Sequence, residues 1–434
     1  MFLMTSGTLA AADARHLLGL KFGDEALRSE NTVMHLQLLN NTDESGAVCL
    51  DGTRGGFYFS PATDPENALD WQIYFQGGGW CYDEMDCWGR SFGNLGSSEH
   101  WSSTGSMDGL FSSDCGKNPE FCNFNRVWLV YCDGNSFSGN REQPVVVRGK
   151  PLFFRGKRII DATLEALTQP LNAYGLQAAR NVLLTGCSAG GLATYLHTDY
   201  VYERLRALVP GLTRFKAAPI SGFFLEHETV DGRPVYIEEM KSIFQLANSS
   251  SGVNAACIAA HTRTGDTWRC NFAEHAFAHT NAPILPLNSA LDSWQTTCIY
   301  TARLAPGFPN QTGTENGECG NAPLHWSGCA HDPESCDVEQ IERMNSYMDD
   351  FETALMTAKT LSKPGNGAFI HSCHTHCEAQ TSAFWTFAVN NVTMEAATAR
   401  WWRADVSEPA VAHTYSPCRY HSRPDEPYKC NPTC

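Results

Sequence analysis

Residues 181–191 read NVLLTGCSAGG, an apolar run that ends in Gly-x-Ser-x-Gly and passes into LATYLHTDY, which has helical spacing. A hydroxyl attacks a carbonyl only when it stands clear of its own backbone. A tight strand-to-helix turn lifts Ser188 in that way, while Gly186 and Gly190 leave room for the crowded chain. The helix that follows aims free amides at any anion formed there. The plainer reading, a glycine turn whose serine only caps the helix, is outweighed by the strand before, the helix after and two further segments. One is WQIYFQGGGWCYD, residues 71–83, where a strand-like run ends in three glycines. Such a loop brings backbone N–H groups close to a reacting oxygen, so Gly78, Gly79 and Trp80, with the amide of Ala189 after the nucleophile, are the expected oxyanion donors. Taken alone, the same glycines read equally well as a hairpin turn.

The other segment lies downstream, in the order serine, acid, histidine that this arrangement carries. After the apolar PILPLN comes Asp292 in LDSWQ, a carboxylate at a strand end, for which capping the helix of SWQTTCIY is the competing role. GAFIHSCHTHCEAQ, residues 367–380, then offers His371, His374 and His376, and spacing does not choose among them as the base. Cys373 and Cys377 lie among these histidines, but their spacing lacks the separated knuckles of a zinc site. No metal or organic cofactor is expected.

The strings GGGWC, YCDGNSFSG, FRGKRI, GCSAGG, SGFF and DSWQ, with the Cys-x-x-His-Cys of Cys373–Cys377, resemble the pectin acetylesterases of plant cell walls. They are more distantly similar to Notum, a secreted carboxylesterase that removes a fatty acyl group from Wnt proteins. The likeness runs in order from about Gly46 to the end. It implies Ser188 as nucleophile, Asp292 as acid and His376 as base. By that resemblance the chain is a secreted serine carboxylesterase of the cell wall that deacetylates a polysaccharide such as pectin. Removal of a longer acyl chain from a protein is the alternative within the same chemistry, and a non-catalytic glycan-binding protein the alternative outside it. Three positions depart from the pattern: Gln76 replaces a glutamate before the glycines, Ile220 an aspartate before SGFF, and His374 an aromatic residue.

The elements that must position these residues follow from hydrophobic patterning. Strands are expected at Trp71–Phe75, Val127–Tyr131, Val182–Thr185, Phe215–Ile220, Ile284–Leu287 and Ala368–His371, and helices at Gly156–Thr168, Leu192–Ala207 and Val338–Leu361. Strands separated by helices, with reactive residues at strand ends, predict an α/β-hydrolase-like, open, mostly parallel sheet. With 434 residues and 42% hydrophobic content the chain suffices for one large catalytic domain, 15–405, with insertions at 227–281 and 306–332 and a cysteine-rich tail at 406–434. Residues 1–14 read as a weak or truncated signal segment lacking a basic start. No apolar run is long enough for a membrane span.

Eighteen cysteines, an even and high number, predict disulfides and export. Cys81 with Cys87 and Cys115 with Cys122 are close enough for local bridges, Cys418, Cys430 and Cys434 are expected to staple the tail, and Cys187 reads as structural rather than catalytic. Sequons at Asn40, Asn248, Asn310 and Asn391 fit a glycoprotein. The formal charge of −16 excludes a general affinity for nucleic acid. It also fits poorly with pectin, itself a polyanion, unless a local basic groove exists. Arg141, Arg148, Lys150, Arg155, Lys157 and Arg158 form the one candidate stretch, and solvated surface plus local packing is the simpler account of it. Trp80, Tyr82, Trp88, Phe137, Phe223, Phe224 and Trp294 lie near the motifs, where most such rings are core rather than sugar platforms.

Overall fold

The computed structural model describes residues 32–40, 42–64, 68–172, 174–302, 325–357, 361–406, 414–416, 418–421 and 431–434. The expected signal segment, the sequon at Asn310, Cys430 and much of the 306–332 insertion lie outside them.

Ten strands form one sheet: β1 (Thr32–Leu38), β2 (Gly56–Ser60), β3 (Asp70–Phe75), β4 (Thr104–Met107), β5 (Asn125–Leu129), β6 (Asn181–Cys187), β7 (Arg214–Ile220), β8 (Leu287–Ser289), β9 (Phe369–His371) and β10 (Thr414–Tyr415), in the order β10-β9-β8-β7-β6-β3-β5-β2-β1-β4. From β10 to β5 every pairing is parallel, whereas β5-β2, β2-β1 and β1-β4 are antiparallel. The parallel strands are nearly continuous apolar runs because both faces are covered. Trp71, Ile73, Phe75, Val182 and Leu184 face one core. Tyr74, Leu183, Ala218 and Ile220 face another, which also holds Trp401 and Trp402.

The helices used below are α1 (Glu84–Arg90), α2 (Gly156–Thr168), α3 (Ala189–Leu208), α4 (Val235–Leu246), α5 (Val338–Thr357) and α6 (Met394–Arg403). Every residue of α3 from Ala189 to Thr198 is buried, as befits a helix wedged between sheet and neighbours rather than lying at the surface. The far end of α6 is fixed by the buried Lys216, whose Nζ donates to the carbonyls of Trp401 (2.6 Å) and Ala404 (2.8 Å), an ammonium satisfying the orphan acceptors of a helix C-terminus.

The expected helix at Gly156–Thr168 matches in both bounds, and the expected parallel strands are displaced by no more than a few residues. The largest displacement is at Ile284–Leu287. There Ile284 makes only an isolated bridge to Ala217, and the strand proper begins at Leu287, after Pro286, because proline cannot donate to a ladder. The antiparallel edge β1-β2-β4 was outside the expected set.

Candidate active site

The carboxyl ends of β3, β6, β7, β8 and β9 lie along one edge of the sheet, in register: Phe75 beside Gly186, Cys187 beside Ile220, Leu287 beside Ile220, and Ser289 beside His371. Ligands of open α/β sheets bind at this edge. Ser188 follows β6 directly. Its φ of 61° and ψ of −128° are costly for a residue with a Cβ. The turn is held by Ser188 N donating to the Ile220 carbonyl at 3.1 Å and by the start of α3. Both motif glycines are required by contact. A Cβ on Gly186 would strike the Gly190 carbonyl, and one on Gly190 the carbonyl of Phe75 in β3.

Asp292 lies three residues beyond β8, fully buried. Its two oxygens make the contacts that the two expected roles would each require. Oδ1 accepts from the amides of Trp294 (3.0 Å) and Gln295 (3.1 Å), capping the short helix Ser293–Gln295, and Oδ2 receives His376 Nδ1 at 2.7 Å. The cap locks the carboxylate so that its second oxygen has one place to point.

Geometry separates the three histidines that spacing left equal. His371 is sealed, with Nε2 on Glu378 Oε1 at 2.7 Å and Nδ1 accepting from the Cys373 amide at 3.2 Å. His374 pairs with Thr296 Oγ1 at 2.9 Å, and burial lowers its pKa to about 4, so it stays neutral. Only His376 meets Asp292. Burial pulls its pKa down, but the charge of Asp292, the hydrogen bond to it and the charge of Glu378 together raise it above the ordinary imidazole value. Its Nε2 is buried and without a hydrogen-bond partner among the described residues.

A disulfide ties the segment that carries this ring to the serine turn. Cys187 and Cys377 are bonded, with Cα atoms 5.7 Å apart, so the residue before Ser188 is tied to the residue after His376. A ring nitrogen of His376 lies within 4.8 Å of both sulfurs. The structural reading of Cys187 therefore holds. The local bridges Cys81–Cys87 and Cys115–Cys122 are also present, and Cys434 is bonded to Cys373 beside the site. None of the described cysteines is free.

The glycine loop closes the third side. A Cβ on Gly77 would sit 2.8 Å from Ser188 Cβ, so the loop presses on the serine. Gly78 (φ 138°) and Gly79 (φ 62°) take backbone angles that side chains resist. Arg90, at the end of α1, donates from Nη2 to the Gly78 carbonyl at 2.7 Å, and Tyr131 donates its hydroxyl to the Gly79 carbonyl at 2.8 Å. In a trans peptide the N–H points opposite to the C=O. Gripping these two carbonyls therefore turns the amides of Gly79 and Trp80 the other way, and neither amide has an acceptor among the described residues. Tyr131 is itself fixed by the Ser136 amide (2.9 Å), and Trp80 Nε1 donates to Ser136 Oγ (2.7 Å). Asp133 holds that loop by accepting from the amides of Asn135, Phe137 and Gly139, and burial raises its pKa. Gln76, at the position of a family glutamate, accepts from the Tyr131 amide at 3.0 Å.

Sequence reasoning missed Arg90 and Tyr131. Tyr131 stood in the quoted YCDGNSFSG string without a role, and nothing in DCWGR advertised Arg90. Around the site, Trp80 packs edge to face with Phe224 and Trp294 and tilted against Tyr236, and the rings of Phe224 and Trp294 lie 6.2 and 6.4 Å from that of His376.

Comparison with known proteins agrees with this architecture. The pectinacetylesterase family model matches residues 27–434. Pectin acetylesterase 5 of Arabidopsis thaliana is 29% identical over 410 residues, 94% of this chain and 86% of the relative. Pectin acetylesterase 7 of the same plant is 30% identical over 348 residues, 80% and 81% of the two chains. The solved structure of the Wnt deacylase Notum from Drosophila shares the fold, with a TM-score of 0.66 at 20% identity over 85% of this chain and 93% of that one. With a family match that takes in the elbow, the glycine loop and both downstream segments, the chain belongs to the pectinacetylesterase family and is a carboxylic ester hydrolase.

Proposed function

We propose that this chain removes O-acetyl groups from an acetylated cell-wall polysaccharide, pectin in the first instance, by a Ser188-His376-Asp292 mechanism. The observation that carries the reading is His376: Nδ1 bound to a locked carboxylate, Nε2 unpartnered, and the residue itself tethered to the nucleophile turn. Ser188 Oγ attacks the acetyl carbonyl as Nε2 takes its proton, and Asp292 stabilises the imidazolium that results. The oxyanion forms against the amides of Gly79, Trp80 and Ala189, with Gly78 as the hinge that presents them. The sugar hydroxyl leaves with the proton from His376. Water, deprotonated by the same nitrogen, then cleaves the acetyl-enzyme to acetate and free serine. Support for the substrate class comes from the plant relatives. Support for an extracellular, glycosylated protein comes from the disulfides and from the exposure of sequon residues Asn40, Asn248 and Asn391. No helix among the described residues is long and apolar enough to cross a membrane.

The test is acetate release from acetylated pectin by the wild type and by Ser188→Ala, beside a series of esters of increasing acyl length. Loss of release in a folded mutant, with acetyl esters preferred, is the expected result. Undiminished release by the mutant refutes the serine mechanism, and preference for long chains moves the substrate class to acylated proteins or lipids.

A further inference from the structure

The basic stretch at 141–158 divides in two once its contacts are known. Arg141, Arg155 and Lys157 donate to the carbonyls of Leu246, Glu142 and Ser251, and Arg158 pairs with the Glu142 carboxylate. These four are structural. Arg148 and Lys150 are not. They stand at the turn of a hairpin, Val145–Val147 with Lys150–Leu152, and neither has a carboxylate partner among the described residues. Each is instead held against an aromatic ring. Arg148 Cζ lies 4.9 Å from the centre of Trp88, and Lys150 Nζ lies 3.8 Å from that of Phe92 while also donating to the Ser91 carbonyl at 3.2 Å. The two rings meet edge to face at 4.9 Å.

The hairpin packs on α1 and the turn after it, and the surface so formed is unusual for this molecule. Among the described residues seven large apolar side chains remain exposed, and three of them are on these elements, Met85, Phe92 (52%) and Val146 (67%). Two cations, the exposed ring of Phe92 and the half-buried ring of Trp88 thus share one patch on a chain whose net charge is −16. A cation parked over a ring costs little chain entropy when it meets an anion, because its position is already set. Sugar rings supply the apolar faces that suit exposed aromatics. The patch is also near the site. Helix α1 is about 10 Å long, its first turn is tied back to the glycine loop by Cys81–Cys87, and Arg90 from its last turn grips Gly78.

We propose that Trp88, Phe92, Arg148 and Lys150 form an accessory subsite for a chain of uronic acid residues. Arg148 and Lys150 pair with its carboxylates and the rings stack with its sugars, holding an anionic polysaccharide while a neighbouring acetylated unit occupies the Ser188 region. This rests on the esterase reading for its purpose but not for its test. The probe is a fluorescently labelled, unacetylated oligogalacturonide, which binds without being turned over. Its Kd is measured for wild type, for Arg148→Gln/Lys150→Gln and for Phe92→Ala, with the fully methyl-esterified oligomer, which lacks the charges, as control. Hydrolysis of p-nitrophenyl acetate is followed in parallel.

Wild type is expected to bind the charged oligomer in a salt-sensitive way and the esterified one far more weakly. The double variant is expected to lose about tenfold or more in affinity, as two charge-assisted contacts imply, with hydrolysis of the small ester unchanged. Equal binding by wild type and double variant, or equal binding of both oligomers, overturns the subsite. Failure of the wild type to hydrolyse the small ester overturns the esterase reading instead and leaves the binding result standing.

Discussion

Segment 371–378 supplies the histidines of two histidine-carboxylate pairs of the same length, His376 with Asp292 and His371 with Glu378, both 2.7 Å. They differ in what the second ring nitrogen does. In His371 it accepts a backbone amide, and Ser221 Oγ closes on the other Glu378 oxygen at 3.2 Å while accepting from the Cys377 amide at 3.0 Å. Every polar atom of that pair is spent on holding the loop. Burial pushes the Glu378 carboxyl upward most strongly, but His371 beside it, its own backbone amide and His376 together keep it below the usual glutamate range. In His376 the second nitrogen is left open. Pairing an imidazole with a carboxylate is therefore not itself a sign of catalysis. The open valence, on a segment tied by disulfide to the strained Ser188 turn, is what distinguishes the pair we propose to be catalytic from the one that holds the loop.

The strongest way to break this comparison is to truncate each histidine. His376→Ala should reduce turnover by about 10⁴-fold or more, with a stability loss limited by the two amide donors that Asp292 keeps. His371→Ala should strand the buried Glu378 charge and cost about 3–5 kcal/mol of stability, read by urea denaturation. If the His371 variant is as stable as wild type but inactive, the roles assigned to the two pairs are reversed. The carboxylates give the next contrast. Asp292→Asn should lower kcat by about 10³–10⁴-fold, whereas Glu378→Gln should leave kcat within a few-fold. Because Glu378 raises the pKa of His376, its neutralisation should shift the acid limb of the kcat/KM profile toward lower pH. A shift toward higher pH would contradict that coupling.

A smaller effect is expected at the glycine loop. Tyr131→Phe or Arg90→Gln frees a carbonyl whose partner amide we propose as an oxyanion donor, so kcat should fall by about 10–100-fold, less than the loss of a donor itself, with KM nearly constant. Weaker binding of a boronic acid transition-state analogue without a change in KM would separate this positioning role from general damage.

The smallest effect concerns acid. His374 and His197 have folded pKa values lowered to about 4 and about 3 by burial, against about 6.5 when unfolded. Between those limits the unfolded chain binds more protons, so their contribution to stability is present above about pH 6.5 and is lost as pH falls. Raised rather than lowered, His376 acts in the opposite sense, its contribution fading as pH rises through its folded value. The net expectation is a melting temperature that declines from pH 6.5 to 4, and a shallower decline in His374→Gln.

What the sequence made legible was whatever is local. The elbow shows in five consecutive residues because strand, strained serine and helix are contiguous there, and the parallel strands show because burial on both faces leaves them apolar. The antiparallel strand β1 alternates buried and exposed residues only over its first few positions, too short a signal to stand out. The competition between cap and acid at Asp292 was unresolvable from spacing because both readings describe the same side chain. Likewise, the three histidines differ only in what distant segments bring to them: Asp292 to one, Thr296 to another, a local amide and Glu378 to the third. Arg90 acts across a loop through backbone carbonyls, which carry no residue identity to read.

The Cys187–Cys377 bond spans 190 residues of sequence, and it shortens the covalent route from Ser188 to His376 to four residues. A protease that nicks any surface loop between β6 and β9 therefore releases neither partner from the other. Such a clipped molecule keeps the Ser188 turn and the His376 segment at high mutual concentration.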